Sequence, residues 1–454
     1  MKKNDKIKLN IDTLTGDGTG IGRYENMAVF VPNTAAGDEI IAHIIKVKKN
    51  YAVAKLFEII KPSDVRRDVD CPAFKSCGGC AFRHINYNEE LKVKTLGVEN
   101  AIRRIGGIDL PPENIIPSPK ITGYRNKAQY PVTATENGIS YGFFARHSHR
   151  VIESKNCLLQ PKVFETVMET VKIWADENNI SPYNENEHKG TLRHILIRSA
   201  EMTDEIMVVP VINGDELPKA EELVKKLQTA LGKRFVSLCY NVNKADTNVV
   251  LGDKTFLVYG KETITDILCG VKLEISPLSF YQVNRSGAEI LYKKSAEYIE
   301  YTDNTVVDLF CGIGSVGLSV LNICKNKNAK LYGVEIIPSA VENAKNNAKL
   351  NGFENAEFIC ADAGKAAEKL KNRGIKPDAV ILDPPRKGCE EKLLETVALG
   401  FSPKKIIYIS CDPATLARDV KTLSAYGYKL VEYTPVDMFP GTGHIETVAL
   451  IIKA

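Results

Sequence analysis

Cys411 closes the apolar run KIIYIS and is followed at once by Asp412 and Pro413. An aspartate at a helix cap and a proline at the first helical position mark a strand that hands over directly to a helix. The thiol therefore stands at a helix start, a setting that lowers thiol pKa and favours the nucleophilic thiolate. Glu446, in GHIETVAL, lies on an apolar strand where a carboxylate is out of place unless paired or functional. Its neighbour His444 reads as a structural or positioning residue. In DLFCGIGSVGL, Gly312, Gly314 and Gly317 form G-x-G-x-x-G, and Glu335 ends a strand nearby, a pattern that a nicotinamide dinucleotide site would also show. Two details favour S-adenosylmethionine: Asp308 ends the strand before the glycines, and DPPR at 383–386 ends a later one. Asp308 can help hold the cationic methionine end, the glycine backbone permits close approach, and Glu335 can bind ribose hydroxyls.

Arg386 and Lys387 follow the paired prolines where amine-methylating enzymes carry a base-stacking aromatic residue, which weakens an amino-methylating assignment. A nucleophilic cysteine beside a methyl donor has a specific use. Carbon 5 of a pyrimidine is a poor nucleophile, and thiolate addition at carbon 6 turns the ring into an enolate whose carbon 5 can attack a sulfonium methyl. The proton on carbon 5 must then be removed so that cysteine can leave, a role open to Glu446. Cys71, Cys77 and Cys80 make C-x5-C-x2-C, with Cys157 as the fourth thiol. Four thiolates suit Zn²⁺ or an iron–sulfur cluster, and this spacing does not choose between them. Cys239, Cys269, Cys324, Cys360 and Cys389 read as packing residues, and Cys311 as a lining of the glycine loop.

These residues need a scaffold, and the chain is long enough to supply one: 454 residues, 44% hydrophobic and 26% charged, imply a folded protein of two to four domains. Residues 1–156 carry 24 Lys and Arg against 17 Asp and Glu, a net +7, while the remainder is net −3, which suggests a polyanion partner for the front third. No apolar run reaches 18 residues and no leader pattern opens the chain, so a cytoplasmic protein without a membrane is expected. In that compartment eleven cysteines argue against a disulfide framework. Residues 7–60 read as short alternating strands, with GDGTGIGR as a glycine-rich turn, and predict a small OB-like barrel. NEELKVKTLGVENAIRRIGG predicts a helix, and from 119 to 275 strands (NVVLGD among them) mix with amphipathic helices. Beyond 275, apolar runs alternate with helices and predict a mainly parallel sheet, whose ligands bind at the strands' carboxyl ends.

CPAFKSCGGC, Cys157, SFYQVN, DLFCGIG, LDPPR, SCDPATLARD and HIETV occur in that order, and over essentially the whole chain the sequence resembles the RNA uracil-5-methyltransferase family. The resemblance is closer to the branch acting on 23S ribosomal RNA than to the transfer RNA branch. It implies a TRAM barrel over 1–62 that binds RNA, a central α+β domain over 63–275 with an iron–sulfur site, and a Rossmann-like methyltransferase domain over 276–454. It implies further that Cys71, Cys77, Cys80 and Cys157 hold a four-iron four-sulfur cluster, and that Gln282, Phe310, Glu335 and Asp383, with Gly312 and Gly314, surround S-adenosylmethionine. Cys411 is then the nucleophile, Glu446 the proton acceptor and Phe280 the residue stacked near the target base, while Arg125 and Lys127 read as phosphate contacts. No obligate protein partner is implied. The rivals are a transfer RNA enzyme, a nicotinamide-dependent iron–sulfur oxidoreductase built on the glycine loop, and a non-catalytic RNA-binding protein.

Overall fold

The computed structural model describes residues 1–136 and 138–454. Strands β1 (Lys6–Leu14), β2 (Gly20–Tyr24), β3 (Met27–Val31), β4 (Glu39–Val47) and β5 (Tyr51–Lys61) close a barrel in the order β1-β2-β3-β5-β4. The expected glycine-rich turn is shorter than the sequence suggested, because GIGR is itself strand β2. A Cβ at Gly20 would collide with the Thr34 hydroxyl, and one at Gly22 with the Asn10 carbonyl; here glycine serves barrel closure instead of a turn. Ile7, Leu9, Val29, Ile40 and Ile44 fill the interior, and Phe82, Ile85 and Val93 from the following segment complete that core.

Helix α1 (Tyr87–Arg104) is followed by β6 (Lys127–Thr135), β7 (Gly138–Phe144), β8 (Val151–Glu153), α2 (Lys162–Glu177), β9 (Leu192–Ala200), β10 (Glu205–Ile212), α3 (Ala220–Leu231), β11 (Phe235–Val242) and β12 (Lys254–Gly260). The strands form one sheet in the order β12-β11-β10-β9-β6-β7-β8, with Phe164, Trp174, Leu223 and Leu227 of α2 and α3 packed on it. NVVLGD, expected as a strand, is irregular. Asn243 Nδ2 donates to the Val249 and Val250 carbonyls at 2.7 and 3.1 Å, and Asn241 Nδ2 to that of Gly252 at 2.8 Å, so side-chain amides take the acceptors a ladder would need.

A hairpin of β13 (Ile264–Leu268) and β14 (Val271–Ile275) leads into α4 (Arg285–Glu297), β15 (Thr305–Asp308), α5 (Ser315–Ile323), β16 (Lys330–Glu335), α6 (Pro338–Leu350), β17 (Ala356–Cys360), α7 (Ala363–Asn372), β18 (Ala379–Leu382), α8 (Glu391–Glu395), β19 (Lys405–Ser410), α9 (Pro413–Ala425), β20 (Tyr428–Val436) and β21 (Glu446–Lys453). The sheet order is β17-β16-β15-β18-β19-β21-β20, parallel except that β21 runs against both its neighbours. Two elements from earlier in the chain belong to this unit by packing. Val98 and Ile102 of α1 join Leu416 and Val420 of α9, and Ile264 and Leu273 of the hairpin join Leu291 and Leu318.

Cys239, Cys269, Cys324 and Cys389 are buried as expected, whereas Cys360 is exposed at the end of edge strand β17. Among the described residues no helix is long and apolar enough to cross a membrane.

Candidate active site

The strand order reverses between β15 and β18, the position in an open sheet where a crevice forms at the carboxyl ends. Asp308 ends β15, Asp383 follows β18 and Cys411 follows β19, so all three reach that edge. Because β21 is antiparallel, its first residue, Glu446, arrives at the same edge. Ser410 pairs with Thr447, and one further step of this register sets Cys411 opposite Glu446. Two side chains far apart in sequence thus become cross-strand neighbours.

The sequence predicts a depressed thiol pKa at Cys411, and the structure reverses that expectation. Burial pushes the thiol up to about 11, Glu446 and Asp383 add to the shift, and Arg386 opposes it. The helix-start field does not reach the sulfur undiminished. Asp412 takes the free amides of α9 itself, its carboxylate accepting from Ala414 and Thr415 N–H at 2.9 and 3.0 Å. Glu446 is 4% exposed, and its carboxyl is held well above the ordinary range by burial and by Asp383, with Arg386 again opposing. Arg386 was read from the sequence only as a missing aromatic; its position directly after the paired prolines was the available signal for a cation beside the thiol. His444 meets it at 3.4 Å, and burial, Arg386, Arg125 and Lys94 push this imidazole down to about 4, so it stays neutral.

Beside this pair the glycine loop is shaped from beneath. Asp308 is fully buried, and its carboxylate accepts from Phe310 N–H at 3.4 Å and Gly317 N–H at 3.1 Å, so it braces the loop. Burial pushes Asp308 up to about 7, the two amides notwithstanding, and Asp383 reaches about 7 through burial and the charge of Asp308. Gly312 and Gly314 both adopt positive φ, at 54° and 81°, and Gly314 caps α5. Glu335 accepts from Gly312, Ile336 and Ile337 N–H at 3.2, 2.7 and 2.9 Å, which fixes the end of β16 against the loop. Cys311 is buried within the loop, as expected. Tyr292, which the sequence did not mark, lies beneath the site with its hydroxyl 3.5 Å from Ser315 Oγ.

The 276–284 loop presents Phe280, 64% exposed, and buries Gln282, whose backbone carbonyl accepts from Asn126 Nδ2 at 2.9 Å. Arg198, buried on β9, donates to the carbonyls of Pro277 and Ser279 in that loop. Lys127 is half-buried on β6, and burial and the charge of Arg198 lower its pKa to about 8. Arg125 is half-buried and lines a different space, a cavity of about 590 Å³. Cys71, Cys77, Cys80 and Cys157 all line that cavity, and burial raises the pKa of Cys77, Cys80 and Cys157. Arg83 Nε and Nη2 and Arg125 Nε are buried there without a partner. As the side chains stand, no group of three His, Cys, Asp or Glu among the described residues is arranged to hold a metal ion.

A sheet of this order, with a glycine loop after β15 and a thiol and carboxyl at its ligand-binding edge, defines a methyltransferase fold. The model of the tRNA (uracil-5-)-methyltransferase family matches residues 86–454, and that of the TRAM domain matches residues 2–57. An RNA methyltransferase of Clostridium tetani is 42% identical over 99% of this chain and 97% of its own length, and one of Halalkalibacterium halodurans is 40% identical over 99% and 98%. Among solved structures, the tRNA (uracil-54, C5)-methyltransferase of Pyrococcus abyssi in complex with S-adenosyl-L-homocysteine superposes with a TM-score of 0.78 at 29% identity, covering 98% of this chain and 99% of that one. The chain belongs to the tRNA (uracil-5-)-methyltransferase family and is an RNA methyltransferase. The oxidoreductase reading of the glycine loop and the reading of the chain as a non-catalytic RNA-binding protein are set aside by this membership.

Proposed function

We propose that the chain transfers a methyl group from S-adenosylmethionine to carbon 5 of a uridine in 23S ribosomal RNA through a covalent bond between Cys411 and the ring. The observation that carries this reading is the register of β19 and β21, which sets a thiol opposite a buried carboxyl beside the glycine loop. S-adenosylmethionine supplies an electrophilic methyl on a sulfonium. Phe310, Gly312, Gly314 and Glu335 hold it from the β15 and β16 side, with Asp383 and Gln282 completing the site. Cys411 gives up its proton to solvent and its sulfur bonds to carbon 6 of the uracil, the ring electrons moving to the oxygen on carbon 4. The enolate electrons return, re-forming the carbonyl on carbon 4 as carbon 5 takes the methyl, and the methyl–sulfur bond breaks to leave neutral S-adenosylhomocysteine. Glu446, as carboxylate, takes the proton from carbon 5, and the released pair re-forms the double bond and expels the thiolate. Burial makes Glu446 a strong proton acceptor once ionised, a state that Arg386 favours and that burial and Asp383 oppose.

Phe280 stacks on the target base, which must be unpaired for carbon 6 to be reached, and Arg125 and Lys127 bring positive charge to the RNA. Cys71, Cys77, Cys80 and Cys157 would hold a four-iron four-sulfur cluster, an anionic group that matches the unpartnered guanidinium nitrogens on their shared cavity. Through it the thiolates of the 71–80 segment would be cross-linked to Cys157. The ribosomal reading rests on the N-terminal barrel and the cysteine motif. The second reading, a uridine of transfer RNA, is favoured by the likeness to the Pyrococcus abyssi enzyme over the full chain.

Cys411→Ala should abolish turnover, and Glu446→Gln should accumulate a protein–RNA complex that survives denaturing electrophoresis; turnover by Cys411→Ala would refute the covalent route. Mapping 5-methyluridine in cells lacking the protein decides the substrate. Loss confined to transfer RNA would replace the ribosomal reading with the second one.

A further inference from the structure

A second cavity, of about 490 Å³, shares no lining residue with the cysteine cavity or the thiol–carboxyl pair and lies among β6, the end of β7, the 148–151 turn and residues 182–186. That volume lies within the range of small-ligand pockets. Its walls are flat. The ring of His149 stacks on Phe144 with centroids 5.1 Å apart and planes 20° from parallel, and the guanidinium of Arg193 lies 4.3 Å from the centre of the Tyr183 ring.

Its floor carries polar atoms with nothing to bond. His194 is 8% exposed, and neither ring nitrogen has a partner. Arg193, 6% exposed, places Nη1 on the Asn243 and Ala245 carbonyls at 2.9 Å, yet its Nε is also unpartnered. Burial and the neighbouring Arg193 push His194 down to about 4, so the ring is neutral and offers one donor and one acceptor. Buried polar groups of this kind cost free energy until something bonds them. Glu185, which accepts from His149 Nδ1–H at 2.8 Å, puts a carboxylate in the same cavity. Arg150 lines it too, so with Arg193 the cavity carries charges of both signs. The edge of a nucleobase, which mixes donors and acceptors, is matched by a neutral imidazole, a guanidinium and a carboxylate together, and its face is matched by the exposed ring of His149 and by Tyr183.

We propose that this cavity binds an unpaired nucleobase of the RNA other than the target uridine; the inference rests on the reading of the chain as an RNA-modifying enzyme. Its position along the chain path suits that role. Gly78 N–H donates to the Phe144 carbonyl at 3.0 Å, and Ala81 and Phe82 N–H donate at 2.8 and 3.1 Å to the carbonyl of Gly441, in the loop that leads to Glu446. The cavity wall and the loop that carries the catalytic carboxyl are thus both tied to one short segment, 78–82.

His149→Ala and Tyr183→Ala alter side chains at the cavity mouth and leave Cys411, Glu446 and the glycine loop untouched. Each should raise KM for RNA about tenfold, as loss of a base–aromatic stack does, with kcat and adenosylmethionine affinity unchanged, and Tyr183→Phe should restore KM. Ultraviolet crosslinking of the full-length protein to unmodified 23S ribosomal RNA and transfer RNA transcripts should yield nucleotide adducts on peptides containing Phe144, His149 or Tyr183. Unchanged KM in both alanine variants, or adducts confined to the barrel and the C-terminal sheet, would overturn the proposal. A loss that appears as a shallower salt dependence without base adducts would also overturn it, since it would mark a phosphate contact. Crosslinking needs no turnover, so it separates failure of this site from failure of the methylation reading.

Discussion

Cys411 and Glu446 face each other across two strands, and each raises the energy of the other's charge. A thiol pKa near 11 leaves only a small thiolate fraction at neutral pH. Because the folded-state value is raised, reactivity should fall about tenfold for each unit below it and level off only as pH approaches 11. The check is the rate of Cys411 alkylation by iodoacetamide in the protein without adenosylmethionine, followed by peptide mass spectrometry from pH 7 to 10, with exposed Cys360 as reference. A rate already flat above pH 8 would mean that the helix start governs the sulfur after all. The same geometry suggests how the thiolate becomes available during turnover, since a sulfonium nearby favours it as Arg386 does, by opposite charge.

At the scale of elements, the loop from β20 to β21 decides where Glu446 arrives, and α1 holds that loop. Lys94, 2% exposed, donates to Glu90 and to Asp437 at 2.7 Å each and to the Phe439 carbonyl at 3.1 Å, while Glu90 accepts from Gly441 N–H at 2.7 Å and Tyr87 donates to Asp437 at 2.8 Å. Removing the ammonium leaves two buried carboxylates uncompensated. Lys94→Met should therefore destabilise the protein by about 3–5 kcal/mol in urea unfolding and lower turnover with it. Burial already raises Glu90 against the pull of Lys94. With the lysine gone that carboxyl favours its proton more strongly in the folded state, so the deficit should be largest at neutral pH and shrink as pH falls toward 5. A deficit independent of pH would show that packing, not charge, is what Lys94 contributes.

Across the whole molecule, the 71–85 segment is the joint. Phe82 and Ile85 complete the barrel core, Cys77 bridges to Ala145 beside β7, and Ala81 and Phe82 hold Gly441. A cluster bound by Cys71, Cys77, Cys80 and Cys157 would tie this joint to the central sheet, so its loss should be felt as loss of stability and not only as loss of colour. Anaerobically purified protein should show the broad visible absorption of an iron–sulfur centre, and Cys80→Ser should remove it and lower the thermal midpoint. A colourless protein with stoichiometric zinc would refute the cluster, and an unchanged midpoint in the variant would refute its role as a cross-link.

Local chemistry was legible in the sequence wherever a few adjacent residues decide it: the Asp412–Pro413 helix start, the alternation of β1 and the glycine loop between β15 and α5 all follow from short-range sterics and hydrogen bonding. The glycines of β2 and the loop at 248–253 were misread because distant groups, Thr34 and Asn10 in one case and Asn241 and Asn243 in the other, determine them. The packing of α1 and the β13–β14 hairpin onto the last sheet was equally invisible, since amphipathic faces do not name their partners. Residue types at 411 and 446 come from the sequence, but their meeting depends on an antiparallel register, and the charge they feel depends on burial that only the assembled fold creates.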